Sequence, residues 1–225
     1  MRYIDFGLMD YRQALTLQET LVCGISEGRH EETLLLGEHP CVYTIGRGGL
    51  LANRLDPTLG VERINRGGDI TWHGPGQLVG YPLLDLASRG RDLHRWIDFL
   101  EELLIRTLDE FGIAGQRRPK ARGVWTKGGK IAFIGVGVRR WVTMHGFSLN
   151  VSPDLRAFDP IHPCGLAGCP VTSMVAEARE TIPVAAVKQR LQRGFSQLLP
   201  IRLPLDQAVA LNPAPPRNRP VLGPG

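Results

Sequence analysis

Long apolar runs are missing from this 225-residue chain. Nothing approaches the ~20 residues that a membrane-spanning helix needs, and the opening MRYIDFGLMD carries no secretory pattern. Cysteine is scarce: Cys23, Cys41, Cys164 and Cys169 follow no disulfide spacing, so free thiols in a cytoplasmic protein are expected. No G-x-x-x-x-G-K-[ST] loop, no dinucleotide fingerprint after a strand and no G-x-S-x-G elbow is present. Acidic residues are absent from 111–153, where eight basic side chains fall: Arg117, Arg118, Lys120, Arg122, Lys127, Lys130, Arg139 and Arg140. Removing those eight from the chain's 27 leaves 19 basic against 22 acidic side chains elsewhere. A one-signed stretch of this kind attracts an anionic partner. It lacks the interleaved aromatics of a nucleic-acid stacking surface, which argues for an acidic protein or a phosphorylated group instead.

What the chain does have is glycine in one place. Arg66 to Pro82, RGGDITWHGPGQLVGYP, packs five glycines and two prolines into seventeen residues and runs into the apolar Leu83–Leu86. Glycine admits close approach and proline narrows the alternatives. With Arg66, Thr71, His73 and Gln77 set among them, the stretch reads as a ligand-binding loop.

Around it, hydrophobic periodicity predicts strands at Tyr3–Leu8, Thr33–Leu36, Val42–Ile45 and Val61–Asn65, and extended chain at Leu78–Leu86. Helices are predicted over 11–28 and 92–111, the second capped by Asp92 and stopped by Gly112. Strands at Gly123–Thr126 and Lys130–Val138 are joined by the hairpin signal Lys127-Gly128-Gly129, with another at Val142–Val151. A loop is expected over 153–170 and a last helix over 183–199. The pattern gives one α+β domain, residues 1–200, with a mixed sheet and flanking helices. Seven prolines from Pro200 onward predict a poorly ordered tail over 201–225.

Three readings compete for Cys164, held between Pro163 and Gly165. It is a nucleophile presented on a tight turn, a small buried hydrophobe, or a metal ligand beside His162 and Cys169, a trio lacking any standard fourth partner. Cys23 and Cys41 read as packing residues. Lys130 opens an apolar strand, where a lysine is commonly a solvated end. Facing a thiol, its ammonium would favour the thiolate. His73 and His145 are each more often structural than basic.

Four motifs in order carry a family resemblance: RGG-x-x-T-x-H-G-P-G-Q at 66–77, G-x-KIA-x-IG at 128–135, T-x-HGF-x-LNV at 143–151, and PCG at 163–165 followed by Thr172-Ser173. The set resembles the lipoyl (octanoyl) transferases of lipoate biosynthesis. The resemblance implies a fold like the catalytic domain of biotin and lipoate protein ligases. It implies transfer of an octanoyl group from octanoyl-acyl carrier protein, through a thioester on Cys164, to a lysine of a lipoyl domain. Those domains would be the ones in 2-oxoacid dehydrogenase E2 subunits and in glycine cleavage H protein. By the same resemblance Cys164 is the nucleophile and Lys130 its activator. Arg66, Gly67, Gly68, Asp69, Ile70, Thr71, Trp72 and His73, with Phe133, Ile134, Gly135, Gly146, Phe147 and Ser148, line the acyl and pantetheine site. His145 is a secondary catalytic candidate. Neither ATP nor a metal is implied as a cofactor, and no nucleic acid or membrane as a partner; a monomer is expected. Asp69 departs from the basic or neutral residue frequent in that slot. An ATP-dependent ligase on the same fold and a basic binding module are the rival readings.

Overall fold

The computed structural model describes residues 1–206, and the outer part of the expected tail, 207–225, lies outside them. Among the described residues the strands are β1 (Arg2–Leu8), β2 (Thr33–Glu38), β3 (Val42–Ile45), β4 (Glu62–Arg63), β5 (Ile70–His73), β6 (Gln77–Leu83), β7 (Gln116–Arg118), β8 (Ala121–Trp125), β9 (Lys130–Arg139) and β10 (Val142–Asn150). The helices are α1 (Tyr11–Ser26), α2 (Leu93–Asp109), α3 (Met174–Ala178) and α4 (Val184–Arg202). Seven strands form one sheet in the order β1-β2-β6-β10-β9-β8-β7, with β1 and β2 parallel and the other pairs antiparallel. A small sheet, β4-β3-β5, stands apart from it. This is the mixed-sheet α+β domain that the periodicity predicts.

Strand alternation sorts the core into two faces. Leu34, Leu36, Phe147, Leu149 and Val151 pack against Trp96, Phe99, Leu100 and Leu104 of α2 and against Leu191, Phe195 and Leu198 of α4. Leu35, Val79, Tyr81, Val142 and Met144 meet Ala14, Leu21, Val22 and Ile25 of α1 on the opposite face. The small sheet adds a third cluster, in which Ile45, Ile70 and Trp72 join Phe133 of β9 and Phe158 and Ile161 of the following loop. Two of the three long helices, α1 and α2, start at a capping aspartate. Asp10 accepts the amides of Arg12 and Gln13, and Asp92 those of His94 and Arg95.

Several elements differ from the sequence reading. The glycine-rich stretch is not all loop: residues 70–73 form β5, because Val42–Ile45 offers an edge that Ile70–His73 can pair with. The strand expected at 61–65 shrinks to two residues. Gln116–Arg118 and Met174–Ala178 are too short to show a period, and sequence reasoning misses them. Helix α4 continues through Pro200 to Arg202, and Leu203 is buried, with its carbonyl bonded by Arg89. Burial of Leu198, Leu199 and Leu203 outweighs the backbone bond that Pro200 cannot make. The packed domain therefore extends past residue 200.

Candidate active site

Cys164 and Lys130, 34 residues apart, meet. The Lys130 ammonium donates to Cys164 Sγ at 3.2 Å. Main-chain pairing brings them together. The Lys130 amide donates to Pro170 O at 2.7 Å, and the Thr172 amide donates to Lys130 O at 3.0 Å, so residues 170–172 run alongside the start of β9. At the other end of the cysteine loop the His162 amide donates to Asn53 O at 2.7 Å. Between these anchors, Pro163–Gly165 makes one 3-10 turn, with Cys164 in the left-handed region at φ 57. A non-glycine residue rarely adopts that conformation.

Lys130 is not a solvated strand end: it is 2% exposed. Its ammonium lies 5.4 Å from the Trp125 ring centroid and 4.9 Å from that of Phe133, and these faces stabilise a cation that has given up water. Gly123 makes the room, since a Cβ there would sit 2.9 Å from Lys130 Cε.

A cleft opens beyond this pair between the large sheet, α1 and β5. Counting space open to solvent, it spans roughly 450 Å³. Of the residues that the resemblance places at the site, Arg66, Gly68, Asp69, Thr71, His73, Phe133, Ile134, Gly135, Gly146, Phe147 and Ser148 line it, as do His145 and Cys164. Ile70 and Trp72 do not. Alternation along β5 sends 69, 71 and 73 inward and 70 and 72 outward, where Trp72 packs edge-on against Phe158 at 5.5 Å. Gly67 is used by its backbone, which donates to Val136 O at 2.8 Å. Sequence reasoning misses Tyr11 and Tyr81, which complete the lining. Neither has a local signal, one being the first residue of a helix and the other lying inside an apolar strand.

Behind the cleft runs a hydrogen-bond relay whose directions are fixed by its ends. Arg66 Nη2 donates to Thr44 Oγ1 at 2.9 Å, so the Thr44 hydroxyl is left to donate to His73 Nε2, at 3.4 Å. His73 Nδ1 then donates to Gln77 Oε1 at 2.7 Å, Gln77 Nε2 to Asn150 Oδ1 at 2.9 Å, and Asn150 Nδ2 to Thr172 O at 3.0 Å. Thr172 is the residue whose amide pairs with Lys130. The relay thus ties the glycine-rich motif to the backbone of Lys130. A second buried contact joins Tyr81 to His39 Nε2 at 2.7 Å, with His39 Nδ1 on Met9 O at 2.6 Å.

Burial holds the histidines neutral. His73 falls to about 3, through desolvation first and then the charges of His39 and Arg66. His145 falls to about 4, again chiefly by desolvation, with Arg66 next. Asp69 accepts from Asn53 Nδ2 at 2.7 Å and from the Ile70 amide at 2.6 Å. Its carboxylate therefore braces the loop beneath Cys164, with Oδ2 3.0 Å from where a Cβ on Gly165 would lie.

The basic stretch is not one patch. Arg117 and Arg122 are spent on Glu101 and Asp98 of α2, Arg118 stacks over Trp125 at 4.2 Å, and Arg139 and Arg140 sit at the end of β9 remote from Lys130. Cys41 is exposed rather than packed, and Cys23 is half-buried. No group of three or more His, Cys, Asp or Glu among the described residues is placed to hold a metal, and no helix there is long and apolar enough to cross a membrane.

Residues 10–196 match the family of lipoyl protein ligase A/B catalytic domains. An octanoyltransferase of Geobacter metallireducens is 54% identical over 94% of this chain and 98% of its own. One of Geotalea uraniireducens is 55% identical over 91% and 96%. Among solved structures, lipoate-protein ligase A bound with ATP superposes with a TM-score of 0.72 at 16% identity, covering 88% of this chain and 85% of that one. Biotin protein ligase from Aquifex aeolicus gives 0.53 at 11% identity, covering 88% and 69%. The structural likenesses establish the fold. The sequence likenesses go further, and the chain belongs to the lipoyl protein ligase A/B catalytic-domain family, where it stands with the octanoyltransferases.

Proposed function

We propose that this protein moves an octanoyl group from octanoyl-acyl carrier protein to a lysine of lipoyl domains, by way of a thioester on Cys164. The observation that carries the reading is the 3.2 Å contact between a buried ammonium and a thiol at the mouth of a cleft. The Cys164 thiolate attacks the donor's thioester carbonyl, and the carrier thiolate leaves with a proton from Lys130. The acceptor lysine then attacks the octanoyl-Cys164 carbonyl as a free amine. Its surplus proton passes to the now neutral Lys130, and the Cys164 thiolate departs. Lys130 is protonated again at the end of the cycle, so protons balance. A thioester already carries the activation that a free acid would need from ATP, and the acceptors are lipoyl domains of 2-oxoacid dehydrogenase E2 subunits and of H protein.

Mixing the protein with octanoyl-acyl carrier protein in the absence of ATP should add one octanoyl mass, and Cys164→Ala should abolish the adduct. An adduct that persists in Cys164→Ala overturns the thioester. Labelling of the lipoyl domain only with free octanoate and ATP would instead indicate a ligase.

A further inference from the structure

Cys169 is a thiol beside the site that octanoyl transfer leaves without a task. It follows Cys164 in a loop fixed at both ends, by the His162 amide on Asn53 O at 2.7 Å and by the Lys130 amide on Pro170 O at 2.7 Å. Two turns fold the chain between those anchors. The Leu166 amide donates to Pro163 O at 3.1 Å, and the Cys169 amide donates to Leu166 O at 3.2 Å. The loop therefore doubles back, and Cys169 returns to the start of β9, where Lys130 stands.

Both thiols are half-buried, and the segment that joins them, 165–168, is exposed throughout. Gly165 and Gly168 hold the left-handed region at φ 73 and φ 65, and a Cβ on Gly168 would meet nothing within 4 Å. None of these four residues belongs to the core, so a shift that draws the two sulfurs together breaks no core packing.

The two thiols differ in chemistry. The Lys130 ammonium donates to Cys164 Sγ at 3.2 Å, and an ammonium against a sulfur favours the thiolate, the form that peroxides oxidise. Burial pushes the Cys169 thiol up, and it feels both the Lys130 ammonium, which opposes that shift, and Cys164. One sulfur is offered for oxidation, and the other waits beside it as a thiol.

We infer that Cys169 is the resolving thiol for Cys164, so that hydrogen peroxide converts the pair into a disulfide across 165–168. The Cys164 thiolate attacks one peroxide oxygen; an S–O bond forms, the O–O bond breaks, and the departing hydroxide takes a proton from solvent. The Cys169 sulfur then attacks the sulfenic sulfur; the S–S bond forms, the S–O bond breaks, and hydroxide leaves as water with the thiol's proton. Peroxide gains the two electrons that the thiols lose. A dithiol reductant returns a disulfide to thiols but does not rescue a sulfinic acid, so the pair gives the nucleophile a reversible stop. The inference rests on Cys164 being the reactive thiol of the function proposed above.

Reduced wild type and Cys169→Ser are treated with hydrogen peroxide and mass-mapped before and after dithiothreitol, with octanoyl transfer assayed in parallel. Before oxidation Cys169→Ser should transfer as well as wild type. After it, wild type should lose two hydrogens from the tryptic peptide 157–179, which holds both cysteines, and should regain activity with the reductant. Cys169→Ser should carry two or three added oxygens on Cys164 and recover at least about fivefold less activity. Equal recovery in the two proteins, or a wild-type disulfide joining Cys164 to Cys23 or Cys41, overturns the inference. A 164–169 disulfide in a protein that forms no octanoyl adduct removes the thioester proposed above and leaves this pairing in place.

Discussion

The two faces of the large sheet are built from the same strands and are put to different uses. Against α2 and α4 the lining is mainly apolar: Leu34, Leu78, Trp96, Phe99, Leu104 and Phe195 are all essentially inaccessible, and the buried Glu101 of α2 is paired with Arg117 and the Gly123 amide. Trp96 stacks on Phe99 at 5.4 Å, and Phe195 closes on Phe99 edge-on at 5.3 Å. Against α1 and the small sheet, buried residues of the cleft and the relay behind it include Arg66, His73, Gln77, Lys130, His145 and Asn150. Burying polar groups costs free energy unless each finds a partner, so this second face is stable only because the first supplies the surplus. One side holds the fold and the other spends that stability on chemistry.

The comparison breaks most sharply with substitutions at its two extremes. Cys164→Ala should lower octanoyl transfer by at least about 10³-fold with little change in melting temperature. Leu104→Ala, buried at 0% exposure on the opposite face, should cost roughly 2–5 kcal/mol in stability and leave the activity of the folded fraction nearly intact. Paired assays of transfer and denaturant unfolding check both. A Leu104→Ala protein that is fully folded yet inactive would erase the division between the faces.

Next in size is Lys130. Lys130→Met removes charge and base, and transfer should fall about 10²-fold or more. Lys130→Arg keeps the charge but cannot take a proton from the acceptor amine, so acyl-enzyme formation should outlast transfer. Single-turnover measurements separate the two half-reactions.

A smaller effect is expected from the relay. Gln77→Leu cuts it between His73 and Asn150, far from any reacting atom. Transfer should fall about tenfold, the equivalent of one buried hydrogen bond lost, with the change in kcat rather than in KM. An equal fall in Asn150→Leu and in the double variant would mark the relay as one unit.

The histidines give the smallest and most diagnostic signal. His73 and His145 are held at about 3 and about 4, below the ordinary value of about 6.5, so the unfolded chain binds protons that the folded one refuses. The stability they contribute is full above about pH 6.5 and is lost as pH falls towards 4. His73→Gln should therefore flatten the decline of melting temperature over that window. It should leave any activity limb near pH 7 in place, because neither ring titrates there.

Much of this was legible in the sequence, for reasons specific to each element. Leu93–Asp109 showed itself because a 3.6-residue stripe survives any packing, and Asp92 is a strong capping signal. The hairpin at Lys127-Gly128-Gly129 was visible for its glycines. The meeting of Lys130 with Cys164 was not legible from spacing, since it depends on residues 170–172 pairing with β9, and only the family resemblance placed it. Strand β5 was hidden inside a glycine-rich motif, and with it the outward turn of Ile70 and Trp72. The basic run read as a single field because charge counts ignore partners. Asp98 and Glu101 lie on α2, outside the run, and quench Arg117 and Arg122.

In the proposed mechanism the Lys130 ammonium makes Cys164 the reactive thiol of this chain, and the chain carries its own control. Cys41 is exposed, whereas Cys164 is half-buried, so access alone favours Cys41. Alkylation with iodoacetamide near pH 7, followed by peptide mass mapping, should label Cys164 faster than Cys41 in the wild type and reverse that order in Lys130→Met. A wild-type protein in which Cys41 reacts first, or a Lys130→Met protein with the wild-type order, would contradict it.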